Sequence, residues 1–129
     1  MSDNAISSIK DALQKDKRVI FAYLFGSRAK GVDSDGSDWD IAVYTPSESP
    51  LFKFYIEAEL SHLLGTDDIQ VFILNSLDNP LFGFEIVKHG ILLIDRDEEK
   101  RIEFEARVLG QYHDWQYFLK RHMEAEGWL

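Results

Sequence analysis

The sequence lacks cysteine altogether, so no disulfide cross-links it and no Cys–His pair is available for nucleophilic catalysis. It also lacks any run of about 18 apolar residues, the length that a membrane-spanning helix requires. The first residues, Met1-Ser2-Asp3-Asn4, are polar and do not resemble the apolar segment of a signal peptide. We therefore expect a cytoplasmic protein with no membrane partner.

Positive charge is scarce. The chain has 14 Lys and Arg against 23 Asp and Glu, a formal net charge of −9. Binding to nucleic acid depends on cations that neutralise phosphates, so we expect no direct nucleic-acid partner. The length of 129 residues predicts a single domain over residues 1–129, without a separate domain to bind a second substrate.

Apolar patterning predicts four strands and four main helices. The strands are expected at 18–25, 38–44, 69–74 and 91–94. A first helix is expected after an Asp3 or Asn4 cap, a second from a Ser49 cap with Pro50 in its first turn, and a third from the Asn79-Pro80 pair. The fold class that this order indicates is α/β (α+β): a small mixed sheet of about four strands flanked by helices.

The last helix is predicted from Glu98 to about Glu126 and is long for so small a domain. At 1.5 Å per residue it spans roughly 40 Å. Two interpretations of its aromatic residues are open: they pack on the sheet, or the segment 97–126 contacts a partner protein. Its inner stripe repeats every three or four positions and comprises Phe104, Val108, Tyr112, Trp115, Leu119 and Met123.

The most informative motif is a Gly26-Ser27 turn followed, ten residues later, by Asp38-Trp39-Asp40. Asp38 and Asp40 open an apolar strand, where alternate side chains share a face, so both carboxylates should project from one side about 7 Å apart. Two carboxylates on one face can hold a divalent metal. Charged side chains inside an apolar strand are costly without a partner, which favours a functional role over a solvated turn.

The Gly26-Ser27 turn follows an apolar strand and leads into Arg28-Ala29-Lys30, a candidate helical turn. Backbone N–H groups at such a start, with the Ser27 hydroxyl, form an anion site suited to phosphate. Mg²⁺ prefers one or two carboxylates together with phosphate oxygens and water. The motif therefore predicts a metal–nucleoside triphosphate site. Arg28 and Lys30 could meet phosphates or simply lie in solvent, and both interpretations stay open.

Other metal sites fit the sequence less well. A calcium loop starting at Asp33 would need glycine at its sixth position and glutamate at its twelfth, where the chain has Asp38 and Tyr44. An ordinary turn explains residues 33–36 but not the two aspartates that follow. The histidines show no metal-ligand spacing and are expected at the surface or at helix ends; they are His62, His89, His113 and His122.

Gly-Ser, ten residues and Asp-x-Asp together resemble the DNA polymerase beta-like nucleotidyltransferases. Over residues 5–95 the chain looks most like their minimal branch, the MNT-domain antitoxins paired with HEPN toxins. The resemblance implies transfer of AMP from ATP to a hydroxyl of a HEPN-type RNase toxin, a tyrosine, which silences the toxin. It implies two Mg²⁺ ions on Asp38 and Asp40, β- and γ-phosphates on Gly26 and Ser27, and Arg28 beside the leaving pyrophosphate.

One position departs from the family pattern. The resemblance places Gln70 where active members carry a third carboxylate, and glutamine cannot accept a proton. Asp68, two residues earlier, is the best substitute, and Asp67 is a weaker one. Two alternatives therefore remain: a catalytically weak antitoxin that acts by binding alone, and an antibiotic-type nucleotidyltransferase, which would normally need a longer chain to bind its drug.

Overall fold

A four-stranded sheet forms the centre of the computed structural model, which describes residues 2–31 and 38–128. The spatial order is β3-β2-β1-β4; β1 is antiparallel to both β2 and β4, whereas β2 is parallel to β3. The predicted mixed sheet is confirmed. In chain order the strands are β1 (Phe21–Phe25), β2 (Trp39–Tyr44), β3 (Ile69–Ile73) and β4 (Ile91–Asp95).

Helices flank the sheet, and the predicted cap of α4 is confirmed: the Asn79 side chain accepts a hydrogen bond from the Phe82 N–H at 3.0 Å, with Pro80 in the first turn. The helices are α1 (Ser2–Lys15), α2 (Ser27–Lys30), α3 (Phe52–Leu64), α4 (Pro80–His89) and α5 (Glu98–Ala125). None of the helices in the described ranges is both long enough and apolar enough to cross a membrane.

Two predicted helix starts are wrong. Helix α1 begins at Ser2, so Asp3 and Asn4 lie inside it rather than ahead of it. Its apolar residues Ile9 and Leu13 pack in the core and stabilise it. Helix α3 begins at Phe52. The Ser49 hydroxyl accepts a hydrogen bond from the Leu51 N–H at 3.2 Å, so the Ser-Pro pair forms a turn that precedes the helix.

The sheet has two covered faces. Successive residues of β1 alternate between them, and all five are buried, as its continuous apolar run predicts. One face, which we call the α1/α3 face, packs Leu24 and Ile41 against Ile9 and Leu13 of α1 and against α3. The opposite face, the α4/α5 face, packs the second core cluster: Phe21, Tyr23, Phe25, Ala42, Leu74, Ile86, Phe104 and Val108.

Polar contacts fix the first half of α5 to the sheet. The Tyr23 hydroxyl donates to Glu105 at 2.6 Å, and burial together with that carboxylate raises the pKa of Tyr23 well above its ordinary value. Arg101 donates to Asp95 at 2.6 Å and to Glu105 at 2.9 Å. The predicted long C-terminal helix is therefore confirmed, and its start is held beside β1 and β4.

Candidate active site

Asp40 lies on the α4/α5 face at the start of β2. In the sheet it is the register partner of Phe25 in β1 and of Gln70 in β3, so these three residues share one face. Asp38 is exposed and directly precedes β2, two positions from Asp40. The alternation expected of a strand thus places the two carboxylates on the same side, as the motif predicts.

The start of β2 is tied to β3 beside this pair. The Trp39 N–H donates to the Asp68 carbonyl at 2.8 Å, and Trp39 is the register partner of Ile69. Asp68 therefore stands one residue before β3, as Asp38 stands one residue before β2. Its backbone N–H donates to the Thr66 hydroxyl at 3.1 Å, and its carboxylate accepts from that hydroxyl at 3.4 Å. The contact holds Asp68 in the turn that enters β3.

The surroundings of Asp40 disfavour its negative charge. Burial raises the pKa of the Asp40 carboxyl, and the negative charge of Asp38 raises it further. On the same face of the sheet, Phe25, the register partner of Asp40, meets Phe72 and Phe82 edge to face, with ring centroids 5.3 to 5.4 Å apart. A bound cation would stabilise the charged form of this carboxylate.

Gly26 lies against the Asp40 carboxylate. Its φ is +80°, a conformation that L side chains rarely adopt, and a Cβ built on it would lie 2.5 Å from Asp40 Oδ2. Sequence reasoning assigned Gly26 to phosphate alone and missed this contact. The signal that links the two residues is the pairing of Phe25 with Asp40, which cannot be read from the spacing of the motif.

Helix α2 continues from this glycine as a single turn. The Gly26 carbonyl accepts from the Ala29 N–H at 3.1 Å and from the Lys30 N–H at 3.2 Å, so Ser27 stands in the first position of the turn. The four residues 27–30 thus form the helical turn expected after the glycine. The acidic turn predicted at 33–36 lies outside the described residues.

The two cations of α2 contact other parts of the protein. The Arg28 guanidinium lies over the Trp39 ring at 4.3 Å, and Trp39 belongs to the core of the α1/α3 face. Lys30 Nζ lies 3.7 Å from Glu85 of α4. Neither contact was predicted, because both join segments that are distant in the sequence.

Gln70 occupies the position that the family pattern gives to a third carboxylate. It is exposed, it pairs with Asp40, and strand alternation puts both on the α4/α5 face. Within residues 2–31 and 38–128, no group of three or more His, Asp or Glu side chains could enclose a metal ion. Among these residues, Asp38 and Asp40 are therefore the carboxylates that a metal here would use.

Asp38 and Asp40 are suitable for Mg²⁺ on that basis. This hard cation is usually held by one or two carboxylates, with substrate phosphates and water completing its coordination. The two carboxylates supply oxygen ligands on one side of the strand, and burial together with the negative charge of Asp38 raises the pKa of Asp40. The residues present therefore fit a magnesium–triphosphate ligand set better than an all-protein cage.

The protein thus combines a mixed α/β sheet with a Gly-Ser turn after one strand and an Asp-x-Asp pair at the start of the next. The chain belongs to the Polymerase beta nucleotidyltransferase family, which matches residues 7–99. A search of curated proteins finds no match.

Solved structures share the fold over nearly the whole chain. A toxin–antitoxin structure with AMP-PNP matches with a TM-score of 0.73 at 20% identity, covering 97% of this chain and 98% of the other. A tri-AMPylated Shewanella oneidensis HEPN toxin in complex with MNT antitoxin gives 0.72 at 19% identity, with 97% and 98% covered. The toxin–antitoxin MntA-HepT gives 0.65 at 18% identity, with 96% and 94% covered. The expected resemblance to MNT antitoxins is confirmed at the level of the fold.

Proposed function

We propose that this chain is an antitoxin that transfers AMP from ATP to a tyrosine hydroxyl of a cognate HEPN-type RNase toxin and thereby neutralises it. The observation that carries the proposal is the contact of the Asp40 carboxylate with Gly26, with Asp38 two positions away, in a chain of the nucleotidyltransferase family. Likeness to structures that contain AMP-PNP or a tri-AMPylated HEPN toxin supports the choice of nucleotide and acceptor.

Each residue of the motif has a role in this proposal. Asp38 and Asp40 would hold two Mg²⁺ ions. When bound, Mg²⁺ supplies charge neutralisation for the triphosphate and activation of the acceptor oxygen. The backbone of Gly26 and the hydroxyl of Ser27 would bind the β- and γ-phosphates, and Arg28 would offset the charge of the leaving pyrophosphate.

The reaction is an in-line displacement at the α-phosphorus. The tyrosine oxygen forms a bond to this phosphorus while the bond to the bridging oxygen of pyrophosphate breaks, so AMP is joined to the toxin as a phosphodiester and pyrophosphate leaves. The phenolic proton passes to water or to a nearby carboxylate. Asp68 is our candidate for that carboxylate, because Gln70 cannot accept the proton.

Modification would silence the toxin electrostatically. Each added AMP unit brings negative charge to a surface that must approach RNA phosphates, and like charges there oppose binding of the RNA.

The test is co-expression of the toxin with the unaltered chain and with the Asp38→Asn, Asp40→Asn double variant. The intact mass of the toxin and its RNase activity are then measured. We expect the toxin to gain AMP units and to lose RNase activity when it is co-expressed with the unaltered chain, but not with the double variant. A toxin that stays active and unmodified beside the unaltered chain would refute the proposal.

A second candidate is an antitoxin that acts by contact alone, and Gln70 at the third position favours it. Under this alternative the toxin is bound and silenced with no change in its mass, and the double variant silences it equally well. The same experiment therefore separates the two.

A further inference from the structure

The second half of α5 extends past the core of the protein. Phe104 and Val108 are buried, and Tyr112 stacks on Phe84 of α4 with ring centroids 3.9 Å apart. Beyond this contact, in residues 113–125, which we call the distal segment, most side chains are exposed. Thirteen helical residues extend about 20 Å.

The distal segment continues the apolar stripe that is buried in the first half. In the first half this stripe consists of Phe104, Val108 and Tyr112. Trp115, Leu119 and Met123 continue it at steps of three and four, so they lie along the same side of the helix. Leu119 is 38% exposed, and the neighbouring Phe118 is 69% exposed. An apolar stripe at this spacing is the pattern by which one helix binds an apolar groove of another protein.

We propose that the distal segment docks on the toxin, with Trp115, Leu119 and Met123 in an apolar groove of that protein. This inference rests on the proposed function for the identity of the partner. It goes further by assigning the surface that recruits the acceptor, and by distinguishing that surface from the exposed apolar side chains of α3.

Charge favours a basic partner over a second copy of this chain. Residues 113–125 contain two basic and two acidic side chains, so the net charge of −9 lies in the rest of the protein. Two copies would bring their acidic bodies together and repel. An RNase must offer cationic surface to RNA, so the acidic body would attract it while the near-neutral distal segment makes the apolar contact.

The distal segment and the exposed apolar side chains of α3 differ in their position relative to Asp40. Helix α3 also exposes apolar side chains, Phe54 and Tyr55, but α3 covers the α1/α3 face. Helix α5 lies on the α4/α5 face with Asp40. Helix α4 joins the two regions, because its Phe82 contacts Phe25 beside Asp40 and its Phe84 contacts Tyr112, where the distal segment begins. A partner held on the distal segment is thus on the side of the sheet that carries the site.

The test is Leu119→Glu in the full chain, with two matched controls. Tyr117→Glu places the same charge on the opposite side of the same helix, and Phe54→Glu places it on α3; both side chains are exposed, at 64% and 58%. Toxin affinity is measured by calorimetry, ATP affinity in Mg²⁺ by the same method, and AMP transfer to the toxin by intact mass.

We expect Leu119→Glu to weaken toxin binding on the order of tenfold or more and to raise the toxin KM for transfer, with ATP affinity unchanged. Both controls should bind toxin like the unaltered chain. Toxin affinity that resists Leu119→Glu but falls with Phe54→Glu would overturn the assignment, as would the absence of any complex between toxin and the unaltered chain.

Two further outcomes are informative. If Leu119→Glu converts a dimer of this chain into a monomer without affecting toxin binding, the stripe belongs to a second copy and the inference fails. If Leu119→Glu abolishes a toxin complex in which the unaltered chain never adds AMP, the docking surface is supported and the transfer proposal alone is refuted.

Discussion

Gly26 and Asp40 meet so closely that the glycine has no room for a side chain: a Cβ on Gly26 would lie 2.5 Å from Asp40 Oδ2. The turn that we assign to phosphate and the carboxylate that we assign to metal are thus in direct contact. Pairing of Phe25 with Asp40 across β1 and β2 produces this contact.

Gly26→Ala should therefore displace Asp40 and lower AMP transfer about 10²-fold, since a misplacement of about 1 Å at an active site can cost that much. The matched control is Gly65→Ala. Gly65 has a similar φ of +67° but nothing within 4 Å of its Cβ position. Gly65→Ala should cost roughly 1–2 kcal/mol of stability for its left-handed backbone. Gly26 has a ψ of −158°, in a region essentially confined to glycine, so Gly26→Ala should cost about 1–3 kcal/mol. Equal transfer rates for the two variants would contradict the contact's role.

Replacing Asp38 and Asp40 together by asparagine should abolish AMP transfer while the protein stays folded. The substitutions remove the carboxylates proposed to hold Mg²⁺, and they remove two like charges rather than a stabilising ion pair. Circular dichroism checks the fold, and toxin affinity should be unchanged because docking is assigned to α5. Asp11→Asn, at an exposed position of α1, is the control. Transfer at the unaltered rate by the double variant would rule out this site.

Gln70→Glu should raise the transfer rate if a missing base limits the reaction. General-base catalysis contributes on the order of 10²- to 10⁴-fold, so an increase well above twofold is expected. Asp68→Ala should lower the rate if Asp68 already accepts the proton. Single-turnover kinetics with saturating toxin measures both. Rates within about twofold of the unaltered chain for both variants would mean that no third carboxylate takes part.

Asp40→Asn should stabilise the protein at neutral pH in the absence of divalent metal. The native pKa of Asp40 is raised by burial and by Asp38, so the native state holds its proton to higher pH than the unfolded state does. Stability of the unaltered chain therefore falls as pH rises from the ordinary carboxyl pKa through the raised native pKa, and stays lower above it. Asparagine carries no such penalty.

Thermal unfolding in EDTA measures this difference. The Tm of the Asp40→Asn variant should exceed that of the unaltered chain at pH 7. The two Tm values should converge at low pH, where Asp40 of the unaltered chain is protonated in both the native and the unfolded state. A lower Tm for the variant at pH 7 would show that the Asp40 charge is stabilised in the native state.

The sequence was sufficient to predict the elements that rest on local signals. Continuous apolar runs placed β1 and β4, the Asn79-Pro80 pair placed the start of α4, and strand alternation put Asp38 and Asp40 on one side. Only the start of helix α3 was placed too early, because Ser49-Pro50 favours a turn as well as a helix start; the helix that follows, with Phe52 buried, is as expected.

Contacts between distant segments were beyond the reach of sequence reasoning. The approach of Gly26 to Asp40, the position of Arg28 over Trp39 and the pairing of Lys30 with Glu85 all depend on the register of β1, β2 and β3. The packing of α5 against α4, which reaches Tyr112 through Phe84, likewise joins segments that are distant in the sequence. The two interpretations of the aromatic residues of α5 could therefore be separated only in three dimensions. Phe104 is buried, as expected for packing on the sheet, whereas Phe118 is exposed, as expected for contact with a partner.

The most direct test of the central claim follows the phosphates of ATP. The unaltered chain is incubated with the toxin, Mg²⁺ and ATP that carries its label on either the α- or the γ-phosphate. We predict that the α label becomes covalently attached to the toxin, that the γ label is released as pyrophosphate, and that the Asp38→Asn, Asp40→Asn double variant attaches neither. A toxin that carries the γ label, or one that is silenced without acquiring any label, would contradict the account.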